Sequence, residues 1–312
     1  MRRLLAWVLS LILLCAASSA AGEPVLLFIG QDLSAVGGLP GYAEGYIDAF
    51  GLPDGVTTYT GLPLLAGLFI PADWGAGAAC AQAYVDDAAF EGVDMAIGLH
   101  LAGQAGRAAA GLHKTAAERL GRFIAASGRT VYLRIGYEFD GEWNGYDPDE
   151  YVGAFRAIVN TLREMGVDNV RTVWQSSGYG GAEHLLKWYP GDEYVDWMGY
   201  SYFDGPSALM GRGILALARE RGKPVFICEA APRRDVKRED AGALWSAWYA
   251  PFVRHIEANI DVIGAVGYIN CDWESQRLWR GQGWGDSRLQ ANEALAEMWR
   301  EALAGGLFVA GR

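Results

Sequence analysis

The sequence is poor in the side chains that bind transition metals or build disulfide frameworks. Its 312 residues include four histidines and four cysteines, and their spacings match no zinc-binding signature. Beyond the first 21 residues three cysteines remain, Cys80, Cys228 and Cys271. Because they are few and odd in number, they do not support a disulfide framework. We therefore expect no metal and no other cofactor.

Basic residues are also scarce. Lysine and arginine number 26 against 37 aspartates and glutamates, which gives a formal net charge of −11 at pH 7. Nucleic acids and anionic membrane surfaces are bound through clusters of positive charge. The composition therefore argues against both kinds of partner.

The apolar run Leu4–Leu14 is shorter than the ~20 residues that span a bilayer. It follows two arginines and is followed by small residues at 18–21, the order found in secretory signal peptides. The pattern predicts a signal peptide at residues 1–21, a secreted or periplasmic mature domain at residues 22–312, and no membrane association after cleavage. Lipidation at Cys15 is disfavoured because Leu14, rather than a small residue, precedes it.

Eight short apolar segments alternate with helical patterns, and no linker or low-complexity segment divides the chain. Continuous apolar strands that are each followed by a helix predict a parallel sheet covered on its outside. Eight such units over about 290 residues favour a single-domain α/β fold of the (β/α)₈ TIM barrel type over an open doubly wound sheet. The predicted strands are residues 25–30, 55–59, 93–99, 130–136, 170–175, 195–202, 224–229 and 262–269.

Carboxylates, amides and aromatic rings follow the predicted strands, at the end of a barrel where active sites lie. The glycine-rich segments at 178–183 and 281–286 lack the spacing or the context of a phosphate loop. Aromatic rings can stack on the faces of sugar rings, and polar side chains can hydrogen-bond sugar hydroxyls. We therefore expect a polysaccharide or oligosaccharide as the partner. Strand-end residues include Gln31, Asp32, Glu138, Asp140, Gln175, Ser176, Tyr200, Tyr202, Asp204, Glu229, Asn270, Asp272 and Trp273.

Alternation along the strands selects two glutamates, because every second residue of a strand shares a face. On the fourth strand Arg134 and Glu138 fall on one face. On the seventh, Glu229 falls with Val225 and Ile227, which we expect inside the barrel, while Phe226 and Cys228 face the helices. The two strands lie across a ring of eight, so Glu138 and Glu229 can flank its cavity as glycoside hydrolysis requires.

The neighbours of the two glutamates suggest different roles. Tyr137, Phe139 and Trp143 would shield Glu138 from water and raise the pKa of its carboxyl group, which suits a general acid. Glu229 would attack the anomeric carbon, held by Arg134 and by a tyrosine of the sixth strand. The alternatives are a solvated loop acid at position 138 and a buried ion-pair partner at position 229.

The segment RIGYEFDGEW resembles the acid/base block of glycoside hydrolase family 26 in clan A. Arg134, Glu138, Gly141 and Trp143 match that block, whereas Ile135 and Tyr137 replace its proline and histidine. The family contains secreted endo-β-mannanases and related β-glucanases and xylanases. The resemblance implies a (β/α)₈ barrel in which Tyr200 or Tyr202 contacts the nucleophile and Trp273 forms a sugar platform.

Together these patterns predict a secreted, monomeric, endo-acting hydrolase that cleaves a β-linked mannan, β-glucan or bacterial exopolysaccharide with retention. Retention requires the two carboxyl groups to lie about 5 to 5.5 Å apart. A non-catalytic carbohydrate-binding barrel is the alternative, and a disulfide between Cys228 and Cys271 is left open against two buried thiols. The predicted substrate-binding residues are Arg134, Trp143, Gln175, Tyr200, Tyr202, Asp32, Asn270 and Trp273.

Overall fold

The computed structural model describes residues 24–203 and 209–309. The predicted signal peptide and Asp204 lie outside the described residues. Eight parallel strands close into a barrel, each hydrogen-bonded to the next in chain order and the last to the first. The (β/α)₈ prediction is confirmed. The strands are β1 Leu26–Gly30, β2 Gly55–Gly61, β3 Asp94–His100, β4 Val131–Ile135, β5 Val170–Ser176, β6 Trp197–Tyr202, β7 Val225–Ala230 and β8 Ile263–Ile269.

Helices cover the outside of the barrel. The longest described helix, Pro148–Glu164, begins where Asp147 accepts hydrogen bonds from two backbone N–H groups of its first turn and Pro148 supplies a fixed φ. The helices are α1 Leu33–Val36, α2 Tyr46–Phe50, α3 Ala81–Asp86, α4 Ala105–Ala109, α5 Lys114–Ser127, α6 Pro148–Glu164, α7 Ala182–Leu185, α8 Arg212–Arg221, α9 Ala241–Leu244, α10 Ala250–Glu257 and α11 Glu293–Ala304. A π-helical segment, Trp245–Tyr249, joins α9 to α10, and 3₁₀ turns occupy Ala88–Phe90, Leu186–Trp188, Asp192–Tyr194 and Leu289–Ala291. No helix of the described part is long and apolar enough to cross a membrane.

The inside of the barrel is filled by a small apolar cluster that contains Phe226 and Cys228 of β7. Val225 and Ile227 pack instead into the larger layer between strands and helices. The predicted facing of β7 is therefore wrong for these four residues. Glu229 nevertheless opens into the barrel mouth, because a bulge at Cys228 adds one residue to β7: Ile227 pairs with Tyr200, whereas Glu229 pairs with Ser201.

The three cysteines among the described residues, Cys80, Cys228 and Cys271, are buried free thiols. Cys228 lies in the barrel interior, whereas the thiol of Cys271 lies 3.7 Å from a carboxylate oxygen of Asp32. The disulfide left open between Cys228 and Cys271 is therefore not formed.

Two loops meet over the C-terminal end of β1. The loop after β2 contains a short hairpin, Ala72–Asp73 with Ala78–Ala79, and the Gln31 side chain donates to Ala76 O at 3.2 Å. Leu278 N, in the loop after β8, donates to Gly75 O at 2.7 Å. These contacts form one wall of the mouth beside the strand ends.

Candidate active site

Glu229 lies at the end of β7 with 7% of its surface exposed. Its Oε1 accepts a hydrogen bond from the Tyr59 hydroxyl at 2.9 Å and forms an ion pair with Arg134 Nη2. Arg134 is fully buried and also packs over the Tyr59 ring, 5.2 Å from its centroid. Among the described residues, Tyr59 and Arg134 both donate to Oε1. Oε2 is therefore the oxygen that can contact a substrate.

The tyrosine that contacts Glu229 comes from β2, not from β6. Tyr200 and Tyr202 point outward into the helical layer, where Tyr200 hydrogen-bonds His255 at 2.6 Å and Tyr202 packs on Phe252. The inward position on β6 next to them belongs to Ser201. Both predictions for the β6 tyrosines, as nucleophile partner and as substrate-binding residues, are therefore wrong.

Tyr59 could have been found from the sequence by the alternation applied to the other strands. It is the inward residue near the end of β2, and its ring lies against β3, where Gly98 has no side chain. A Cβ at Gly98 would lie 2.6 Å from the Tyr59 ring and 3.1 Å from that of Tyr137. The missing side chain makes room for both rings beside the Arg134–Glu229 pair.

Glu138 reaches the mouth through a turn rather than through strand alternation. β4 ends at Ile135, and Gly136 (φ 57°) and Glu138 (φ 52°) adopt the left-handed region. A non-glycine residue in that region is held there by its surroundings and is a frequent feature of functional sites. Here Asn144 Nδ2 donates to the carbonyl oxygens of Tyr137 and Glu138 at 3.0 and 2.9 Å, and Phe139 N donates to Gln175 O at 3.1 Å.

The half-buried carboxyl group of Glu138 receives two donors. Ser201 Oγ donates to Oε1 at 2.7 Å, and Trp143 Nε1 donates to Oε2 at 3.0 Å. Burial raises the pKa of Glu138 to about 8, and the charge of Glu229 acts in the same direction. The bonds from Ser201 and Trp143 and the charge of Arg134 oppose this rise without cancelling it. The net shift therefore favours the protonated form of Glu138 at neutral pH.

The two carboxyl groups thus lie in different surroundings. Burial and the nearby charge of Glu229 both raise the pKa of Glu138. Glu229 instead lies against the Arg134 guanidinium and accepts a hydrogen bond from the Tyr59 hydroxyl. Pairs of carboxyl groups that are set apart by their surroundings mark acid/base chemistry. In the part of the chain that the structure describes, no three histidine, cysteine or carboxylate side chains converge as a metal site would require.

Of the other predicted residues, Trp143 lies open at the mouth with 68% of its surface exposed, and Gln175 is fully buried between Arg134 and Ser201. Gln175 therefore cannot touch a substrate directly, contrary to its prediction. Phe139 stacks on Trp174, with centroids 4.5 Å apart. It belongs to the outer layer and does not shield Glu138 as the sequence suggested.

Three further substrate-binding predictions are wrong because the side chains are buried in structural roles. Asp32 caps α1 by accepting from Ser34 N at 2.9 Å, and burial raises the pKa of its carboxyl group to about 6. Asn270 accepts from Leu289 N at 2.9 Å and ties the loop after β8 to the barrel. Trp273 is 2% exposed, so it cannot serve as a sugar platform.

Removing the Tyr59 hydroxyl is expected to lower kcat/KM by about tenfold to a hundredfold, the cost of losing one hydrogen bond to a charged group. Tyr59→Phe keeps the ring beside Arg134 and deletes only this bond. Tyr84→Phe is the matched control, because the buried Tyr84 hydroxyl has no hydrogen-bond partner among the described residues. Equal rates for both variants on the same polysaccharide would show that the bond plays no part in turnover.

Residues 95–224, which include β4 to β6 with Glu138, match the family model described as Glycosyl hydrolase family 26. This segment of the chain resembles that family. The resemblance inferred from the acid/base block is thereby confirmed.

Curated relatives include a beta-1,3-xylanase of an Alcaligenes species and beta-1,3-xylanase TXYA of a Vibrio species, each 33% identical over 92% of this chain. The chain spans 65% and 66% of their lengths. Solved structures with the same fold include the family 26 beta-mannanase BoMan26A of Bacteroides ovatus, with 13% identity and a TM-score of 0.64 over 92% of this chain and 90% of that one. A modular endo-beta-1,4-mannanase of Cellulomonas fimi has 18% identity and a TM-score of 0.65 over 92% and 72% of the two chains.

Proposed function

We propose that this barrel is an endo-acting, retaining hydrolase of a β-linked polysaccharide, with Glu138 as acid/base and Glu229 as nucleophile. The observation that carries the proposal is the contrast between the two carboxyl groups at one mouth. The pKa of Glu138 is raised to about 8, whereas Glu229 is bound by Arg134 and Tyr59. A barrel that only binds sugars has no need of such a contrast, which favours catalysis over the binding-only alternative.

The reaction would proceed in two displacements. In the first, Oε2 of Glu229 attacks the anomeric carbon while the protonated Glu138 gives its proton to the glycosidic oxygen, so that one C–O bond forms and another breaks. In the second, Glu138 takes a proton from water as the water oxygen attacks the same carbon and releases Glu229. The two inversions give net retention.

For the sugar we propose β-1,3-linked xylan first. The support is the 33% identity to two proteins named beta-1,3-xylanases over 92% of this chain. The mannanase structures share only 13% and 18% identity, so their likeness supports the fold alone. Exposed rings on the loops after β2, β4 and β5 could stack on sugar units. These are Trp74, Trp143 and Tyr179, with 48%, 68% and 46% of their surfaces exposed.

The proposal is tested by measuring reducing-end release from β-1,3-xylan, β-1,4-xylan, mannans, β-glucans and bacterial exopolysaccharides. We expect release of oligosaccharides from β-1,3-xylan. Release from mannan alone would overturn the proposed sugar and keep the enzyme. Retardation of the protein in a xylan-containing gel without any release from the panel would favour the binding-only barrel.

The pH profile of kcat/KM follows from the raised pKa of Glu138. The acid works only when protonated, so activity on a polysaccharide should fall as the pH rises through about 8. An unperturbed glutamate, with its pKa of 4.5, would lose its proton well below neutrality. Rates measured from pH 4 to pH 10 distinguish the raised pKa from the unperturbed one. A decline that begins near pH 5 would contradict the assignment of Glu138 as the acid.

We also propose that the chain is exported with residues 1–21 removed and acts as a monomer. Both proposals rest on the sequence alone. N-terminal sequencing of the exported protein and its mass in solution test them.

A further inference from the structure

A continuous line of buried side chains joins the two glutamates. Arg134, already paired with Glu229, donates from Nε to Gln175 Oε1 at 2.7 Å. Gln175 Nε2 lies 3.1 Å from Ser201 Oγ, which lies 2.7 Å from Glu138 Oε1. Arg134 and Gln175 are fully buried, and Ser201 is 1% exposed. The two displacements described above leave Gln175 and Ser201 without a role.

The direction of each hydrogen bond in this line is fixed by chemistry. A guanidinium only donates, so the amide of Gln175 must turn its oxygen to Arg134 and its NH₂ group to Ser201. The Ser201 oxygen therefore accepts from Gln175. The hydroxyl hydrogen of Ser201 is donated to Glu138 Oε1, its acceptor among the described residues.

We infer that Ser201 is a positioning residue that holds Oε1 of Glu138 as an acceptor and thereby assigns the catalytic proton to Oε2. Oε2 is the oxygen beside Trp143, whose exposed indole marks the open side of the mouth. Trp143 Nε1 donates to Oε2 in the same way, but Trp143 is exposed whereas Ser201 is buried, so only a hydrogen on Oε2 can point to the open side of the mouth. The inference rests on the proposed role of Glu138 as general acid.

The electrostatics of the site agree with this arrangement. Burial and the charge of Glu229 raise the pKa of Glu138, while the Ser201 bond lowers it. Arg134 supports that bond from a distance, since each donor in the line polarises the next. The titratable groups that interact with Glu138 are Glu229, Arg134, Tyr137, Tyr146 and Cys228. All of them remain when Ser201 is changed.

Titration of Glu138 by carbon-13 NMR of the glutamate-labelled full chain tests the inference without requiring turnover. The Glu138 signal is assigned by its loss in Glu138→Gln. Ser201→Ala should raise the midpoint by about one pH unit, the effect of deleting one hydrogen bond to the ionised form. Ser201→Cys, whose thiol is a weaker donor, should give a smaller rise. Ser127→Ala, a buried serine at the end of α5, should give none.

Kinetics provide the second readout. On the polysaccharide, Ser201→Ala should lower kcat/KM about tenfold, because a misplaced acid loses part of the gain of general acid catalysis. On a dinitrophenyl glycoside, whose leaving group needs no proton, the rate of the initial burst of dinitrophenol, which reports the first step alone, should match that of the wild type. Ser201→Cys should recover part of the loss on the polysaccharide.

The outcomes separate the two claims. An unchanged or lowered midpoint for Glu138 in Ser201→Ala overturns the inference, as does an equal loss on both substrates together with a lower melting temperature. A wild-type protein that cleaves nothing defeats the proposed function instead. A raised midpoint in Ser201→Ala would then still show that Ser201 controls the protonation of Glu138.

Discussion

Glu229→Gln is expected to lower kcat on the polysaccharide by at least about 10⁴-fold while the barrel stays folded. An amide cannot form the covalent glycosyl intermediate, yet it still offers an oxygen to Tyr59 and Arg134. Rates of reducing-end release measure the loss, and thermal unfolding checks the fold. Glu142→Gln, an exposed glutamate in the loop after β4, is the matched control and should keep full activity.

The choice of glutamine matters because of Arg134. Alanine at position 229 would leave a fully buried guanidinium without its partner, and breaking a buried pair costs about 3 to 5 kcal/mol. Lost activity in such a variant could reflect unfolding. Activity retained by the folded Glu229→Gln protein would remove Glu229 from the nucleophile's role.

Glu138→Ala is expected to lose about 10²- to 10⁴-fold on the polysaccharide, the range that general acid catalysis contributes. On a dinitrophenyl glycoside the first step needs no proton donor, so a burst of dinitrophenol should be followed by slow turnover. The second step then lacks its base. Stopped-flow absorbance of the released phenol records both phases.

Azide distinguishes loss of the base from other damage. As an anion it attacks the glycosyl intermediate without giving up a proton, so it should restore turnover of Glu138→Ala and yield a glycosyl azide of retained configuration. Wild-type protein should show no such acceleration. Equal losses on both substrates, with no response to azide, would remove Glu138 from the acid/base role.

The fold could be predicted because most barrel strands read as apolar runs and are followed by a helical pattern, which few architectures share. Glu138 and Glu229 were selected because the strand ends of such a barrel form one mouth, and both side chains lie there in the structure. Sequence spacing also predicted that Trp143 and Arg134 lie against Glu138 and Glu229, as they do, but Arg134 is fully buried and so cannot bind a substrate directly as predicted.

The errors have two physical sources, the phase of the strands and contacts between distant loops. Alternation predicts which way a side chain points only while the pleat is regular. The bulge at Cys228 adds a residue and reverses the facing of β7 before Glu229. The face of β6 that points into the barrel is set by its pairing with β5 and β7. The sequence alone could therefore not show that Ser201 rather than Tyr200 faces inward. The burial of Asp32, Asn270 and Trp273 depends on loop contacts far apart in the chain, such as Asn270 with Leu289.

Mass spectrometry after reaction with an activated 2-deoxy-2-fluoro glycoside, made from the sugar that the polysaccharide panel identifies, tests the central claim most directly. The fluorine slows the second displacement, so the covalent intermediate should accumulate as one glycosyl unit on the peptide that contains Glu229. Glu142→Gln should give the same adduct and Glu229→Gln none. An adduct on another residue, or an inverted product without any adduct, would contradict the account.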